Sequence, residues 1–216
     1  MRTLPRRKWM KNYRKKSSAG QRKVPPGKGS CKIASEYGML RSNVRKVHMK
    51  KNIVLIGMPG VGKSTIGVVL AKVMGYQFVD ADLVIQEKEG KLLCEIIEEV
   101  GAEGFIEVEN RINSSICVEH AIIATGGSVV YGAEAMAHLR EIGTILYLKL
   151  PYEELERRLC DIKGRGVVLK EGQTLRDLYE ERGPLYEKYA DVIVEETRLN
   201  VEQTIEKILE LKERFQ

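Results

Sequence analysis

At 216 residues, with 43% hydrophobic side chains and a net charge of +6, the chain is long enough for one domain with a sizeable core. It has no apolar run of the length that a membrane helix or a signal-peptide core requires. Its four cysteines, Cys31, Cys94, Cys117 and Cys160, form no C-x-x-C pair. A membrane span, a disulfide framework and a zinc site are thereby set aside, and reduced thiols in a cytoplasmic setting are expected.

Charge divides the chain. Residues 1–48 hold 15 Lys and Arg against one acid, Glu36, a net +14, whereas residues 49–216 hold 21 against 29, a net −8. The first segment has no sustained apolar periodicity and contains Pro25-Pro26 and basic clusters such as Arg6-Arg7-Lys8, so it is expected to be a disordered basic extension. Three readings compete for it: an overcalled translation start ahead of Met49-Lys50-Lys51, a solvated tail with weak polyanion affinity, and an organellar transit peptide. The acidic remainder, 49–216, gives no sign of a nucleic-acid surface.

The first element of that remainder is Asn52-Ile53-Val54-Leu55-Ile56, a short β-branched run that reads as a buried strand. Gly57-Met58-Pro59-Gly60-Val61-Gly62-Lys63-Ser64 follows, with Thr65 after it. This run satisfies the phosphate-loop pattern G-x-x-x-x-G-K-[ST] in full. Ile66, Val69, Leu70 and Val73 then recur at helical spacing up to Gly75. Strand, glycine loop and helix is the setting in which backbone N–H groups form an anion nest at a helix N-terminus. Lys63 would reach the β/γ-phosphates of ATP, and the Ser64 hydroxyl would hold Mg2+.

A second strand, Gln77-Phe78-Val79, ends at Asp80-Ala81-Asp82. Helical segments are expected over 83–89, 92–100 and 103–119, punctuated by Gly90 and Gly101. The strand Ala121-Ile122-Ile123-Ala124 runs into Thr125-Gly126-Gly127-Ser128. A helix near 134–141, a strand over 144–148, helices near 152–159 and 174–189, a strand over 192–194 and a helix over 201–214 complete the order. Strands alternating with helices imply a parallel sheet covered on both faces, with ligands at the carboxyl ends of the strands. Those ends carry the phosphate loop, Asp80 and Asp82, and Gly126-Gly127. Asp82 is placed to accept a hydrogen bond or proton from an attacking hydroxyl, although both aspartates are also suited to capping the next helix.

These features, taken in order over 50–216, resemble the shikimate kinase family of small phosphate-loop kinases. The resemblance includes the D-x-D after the second strand, Phe105 with Glu109 in a helical segment, and the glycine pair. It extends to Arg165 in Lys163-Gly164-Arg165-Gly166 and to Arg182-Gly183-Pro184-Leu185-Tyr186 followed by Ala190-Asp191. A gluconate kinase would show a histidine soon after the aspartates, and an adenylate kinase a longer lid with more arginines. The resemblance implies a three-layer α/β/α fold with a five-stranded parallel sheet, a mobile lid and a monomeric state. It implies ATP and Mg2+ as cofactors and shikimate as acceptor. By the same resemblance Arg165 closes on the transferring phosphate, and Asp80 sits in the magnesium's outer shell. Asp82, Glu109, Gly126, Gly127 and Arg182 bind substrate, the Arg182 guanidinium donating to the substrate's carboxylate.

Two positions depart from the family pattern. Ile106 stands where the family has an arginine after the phenylalanine, and Arg111 cannot replace it, because five residues turn a helix through about 140°. Ser128 stands where a third glycine is common. The alternatives are therefore a kinase of another hydroxylated metabolite on the same scaffold, and a regulatory protein that binds ATP without turnover.

Overall fold

A computed structural model describes residues 52–159, 172–197 and 199–211. The expectations for 1–48, Arg165 and its lid, and the last residues of the final helix lie outside them. The elements in order are β1 (Asn52–Ile56), α1 (Lys63–Met74), β2 (Gln77–Asp80), α2 (Ala81–Glu89), α3 (Leu93–Asn113) and β3 (Ala121–Ala124). A 3-10 turn (Val129–Tyr131) leads to α4 (Ala133–Ile142), β4 (Gly143–Lys149), α5 (Tyr152–Leu159), α6 (Leu175–Tyr189), β5 (Val192–Glu195) and α7 (Val201–Leu211). The third helical segment ends at Asn113 rather than 119, and Gly101, at φ 72° and ψ 179°, breaks the helical path of α3 where the sequence predicts a boundary.

The five strands form one parallel sheet in the order β2-β3-β1-β4-β5. β1 is central, and all five of its residues are buried, as are those of β3. This is why both read as unbroken apolar runs rather than alternating ones. The buried Asn52 at the start of β1 is fully satisfied. Its Nδ2 donates to the carbonyls of Val118 (2.8 Å) and Ile142 (2.9 Å), and its Oδ1 accepts from the Ala121 amide (3.0 Å). One side chain thus ties the N-terminal ends of the central strands together.

The connection from β1 runs to one side of the sheet and that from β3 to the other, so right-handed crossovers place α1 on one face and α4 on the opposite face. α7 returns to pack beside α1, while α4 and α6 pack against β4. The reversal between β1 and β3 opens a crevice at their carboxyl ends, the usual ligand position of such sheets. Among the described residues no helix is long and apolar enough to cross a membrane. Cys94 and Cys117 are free and exposed.

Candidate active site

The loop leaving β1 passes through φ of 145°, 77° and 109° at Gly57, Gly60 and Gly62, a path that only glycine follows without strain. It delivers Lys63 as the first residue of α1, buried, with Nζ donating to the carbonyls of Gly57 (2.8 Å) and Met58 (3.0 Å). Burial pushes the Lys63 ammonium down to about 8, with Asp82 opposing and Arg182 adding to the fall.

Asp80, at the end of β2, does two things at once. Its Oδ1 accepts from the Asp82 amide (3.1 Å), capping α2, and its Oδ2 accepts from the Ser64 hydroxyl (2.8 Å). The helix-capping role anticipated for the aspartates is therefore real for Asp80, and it leaves the carboxylate beside the loop serine. Asp82 turns into the crevice instead. Burial, and after it the neighbouring Asp80 charge, raise its pKa, while Lys63 pulls it down.

The site converges on a cavity of about 290 Å³ whose wall includes Gly60, Gly62, Lys63, Ser64, Thr65, Asp82, Glu109, Gly126, Gly127 and Arg182. The glycine pair after β3 is packed tightly into it. A Cβ at Gly126 would fall 2.2 Å from Glu109 Oε1 and 3.0 Å from Asp82 Oδ1. One at Gly127 would meet Pro59 at 2.7 Å and Arg182 at 3.1 Å. Four separate stretches of chain thus meet within contact distance of two residues that carry no side chain. Tyr186, stacked on Tyr147 with ring centroids 5.0 Å apart, donates its hydroxyl to the Gly127 carbonyl (2.6 Å) and fixes that turn from below.

Glu109, one of the buried charges, has no hydrogen bond of good geometry to either carboxylate oxygen among the described residues. Burial raises its carboxyl to about 7, and the nearby Ser128 hydroxyl is the neighbour that most opposes the rise. Arg182 is 2% exposed. Its Nε donates to the Tyr131 hydroxyl (3.2 Å), its guanidinium lies 5.2 Å from the centroid of that ring, and Tyr131 in turn donates to Glu181 (2.7 Å). Arg111 leaves the site altogether, pairing with Glu89 at 2.9 Å. Ile106 is half-buried on α3 and off the cavity wall, while its neighbour Phe105 is on it.

Sequence reasoning missed several members of this wall. Leu93 and Leu159 read there as ordinary helix residues, and Tyr131, which is off the wall but holds Arg182, lies in a stretch given no role. Ser128 was visible only as a departure from a glycine. A second cavity, of about 190 Å³, adjoins the first across Gly62 and Thr65, and is lined by Val61, Ile66, Arg158, Glu196 and Asn200 among others. No sequence signal pointed to it.

Comparison with known proteins bears on what this arrangement does. The family model described as shikimate kinase matches residues 59–212. A shikimate kinase of Thermodesulfovibrio yellowstonii is 36% identical over 168 residues, covering 76% of this chain and 96% of the relative. One of Histophilus somni is 35% identical over 171 residues, covering 76% and 98%. Among solved structures, the shikimate kinase of Acinetobacter baumannii in complex with shikimate superposes with a TM-score of 0.69 at 32% identity, covering 76% of this chain and 93% of that one. The shikimate kinase of Aquifex aeolicus gives 0.63 at 30%, covering 75% and 96%.

Proposed function

The chain belongs to the shikimate kinase family, kinases that phosphorylate an alcohol, and we propose that it transfers the γ-phosphoryl group of ATP to a hydroxyl of shikimate. The observation that carries this reading is the meeting of Lys63, Asp82 and Arg182 on one cavity wall. A phosphate site, a proton acceptor and a carboxylate grip are within one small molecule's reach there.

In this reading the phosphates lie along the loop amides from Gly57 and Gly60 to Thr65, with Val61 turning its other side to the nucleoside. Lys63, held by two loop carbonyls, opposes the charge of the β- and γ-phosphates. The residues present suit a magnesium ion: Ser64 and Asp80 offer hard oxygen donors 2.8 Å apart beside the loop. Among the described residues no cluster of three or more His, Cys, Asp or Glu forms a cage, as expected of an ion that completes its shell with phosphate and water. When bound, Mg2+ supplies charge neutralisation across the phosphate oxygens.

Asp82 takes the proton of the attacking hydroxyl as the new O–P bond forms and the bond to the β-phosphate oxygen breaks, releasing ADP. Its raised pKa brings it nearer the working pH and makes it a better proton acceptor than an exposed aspartate. Gly126 and Gly127 let the substrate approach the backbone, Glu109 accepts from a further hydroxyl, and Arg182 holds the carboxylate. Arg165 keeps the role on the transferring phosphate that the resemblance gives it, on sequence alone.

A second reading has a specific observation behind it. Arg182 is the one arginine on the wall of the cavity among the described residues, and Ile106 stands where a second is usual. A different hydroxylated metabolite with a weaker carboxylate requirement would suit the same site. Incubation with Mg-ATP and shikimate, followed by ADP release and detection of the phosphorylated product, tests the assignment. Turnover with other polyols or hydroxy acids but none with shikimate would overturn it in favour of the second reading.

A further inference from the structure

The second cavity lies on the far side of the phosphate loop and shares Gly62 and Thr65 with the first. A nucleotide with its phosphates on the loop directs its nucleoside into this space. The walls are apolar at Val61, Ile66 and Leu199 and charged at Arg158 and Glu196. Glu196 is 2% exposed. Its backbone is fixed on both sides, the amide donating to the Lys149 carbonyl (2.8 Å) and the carbonyl accepting from the Leu199 amide (3.2 Å). Its Oε2 is 3.7 Å from the nearest Arg158 nitrogen, and that nitrogen already donates to the Val61 carbonyl at 3.0 Å. Oε1 is buried and has no hydrogen-bond partner among the described residues.

A buried carboxylate oxygen without a donor is an unfavourable arrangement that a ligand N–H relieves and a ligand carbonyl aggravates. We infer that Glu196 reads the edge of the nucleotide base, accepting from an exocyclic amine, so that the enzyme takes an amino base such as adenine and rejects its oxo counterpart, hypoxanthine. The inference rests on the nucleotide site proposed above and adds to it the residue that sets base preference. Discrimination of this kind is strong because the rejected ligand leaves two acceptors facing one another in a dry site. An ion pair with Arg158 alone would not produce it, since a purely structural role weakens both nucleotides together.

Calorimetric titration of the full chain with ADP and with IDP at pH 7.5 tests the assignment without reference to the acceptor. The parent should bind ADP about tenfold or more tighter than IDP, the span expected for one charge-assisted hydrogen bond. Glu196→Gln, whose carboxamide also offers a donor, should narrow the ratio to about threefold or less by the same arithmetic. Equal affinities in the parent, or an unchanged ratio in the variant, overturn the inference. A parent that binds neither nucleotide overturns the phosphate-loop reading itself, and this one with it.

The parent alone supplies a further arm should the variant fail to fold. Burial raises the Glu196 carboxyl to about 7, against the pull of Arg158 on α5 and Lys63 on α1. At pH 6 it therefore takes up a proton and can donate to the oxo base, so the ADP-to-IDP ratio should fall by severalfold between pH 7.5 and 6. Protonation of the diphosphate affects both ligands alike. A ratio that does not move with pH overturns the inference.

Discussion

Lys63, Asp82 and Glu109 are charged groups turned into one cavity, and burial acts on each in the direction that weakens its charge. Lys63→Ala should abolish turnover while leaving the far-ultraviolet dichroism unchanged, because the two hydrogen bonds it removes are confined to the loop and alanine suits the start of α1. Near-parental activity in that variant would remove the kinase assignment. The lowered Lys63 value of about 8 should place the basic limb of kcat/KM for ATP close to that pH, since kcat/KM reports the free enzyme. Stability carries a separate signature. The Glu109 carboxyl sits at about 7 in the folded protein against its ordinary 4.5, so the folded state binds the extra proton between those values. Its contribution to stability is then fully present below 4.5 and is lost as pH rises through 7, up to about 3 kcal/mol from this one group. Glu109→Gln should flatten the fall in Tm between pH 5 and 7.5, and an unchanged slope would show that Glu109 is not the group responsible. Ile106 makes the acceptor side testable. If shikimate is the substrate, Ile106→Arg should lower its KM by about tenfold or more, the worth of a charge-assisted contact, with KM for ATP unchanged. Loss of the native reaction in that variant would favour a different acceptor.

Elements, more than residues, decide where Arg182 points. It rides on α6, whose start is set by Thr174. That residue's hydroxyl accepts from the Asp177 amide (3.2 Å), while its own amide donates to the Asp177 carboxylate (2.9 Å). Thr174→Ala should cost about 1 kcal/mol of stability in a denaturant titration. Gly126→Ala is the sharper test of the β3 loop. Its methyl would overlap Glu109 Oε1 at 2.2 Å, so acceptor KM should rise at least tenfold while ADP affinity stays near parental. Equal loss of both would show that the loop serves the nucleotide as well. At this scale the sequence was a good guide wherever a local rule applied. Phosphate loop, D-x-D and glycine pair each announced themselves by spacing, and β1 and β3 by their apolar runs. It failed where the contact is made by residues remote in sequence. Tyr131 reaches Arg182 across 51 positions, and Asn52 ties three chain segments by hydrogen bonds that no periodicity encodes. Glu196 follows another glutamate at the end of β5, and only the fold buries the second and exposes the first.

For the whole molecule, the basic segment 1–48, at a net +14, lacks the apolar periodicity that a packed element needs. A chain beginning at Met49 should therefore keep the Tm and the ATP affinity of the full one, and a drop of several degrees would assign the basic segment a structural part. The sheet order has a consequence of a different kind, in time rather than space. β1 is the first of the described strands to be made and is buried along its whole length, yet its partners are β3, about seventy residues downstream, and β4, about ninety. At roughly 5–20 residues per second, a ribosome leaves Ile53-Val54-Leu55-Ile56 without its sheet neighbours for about 5–20 seconds. For that interval the strand that will carry the phosphate loop is an exposed apolar segment, and its protection falls to whatever the growing chain meets before its own β4 arrives.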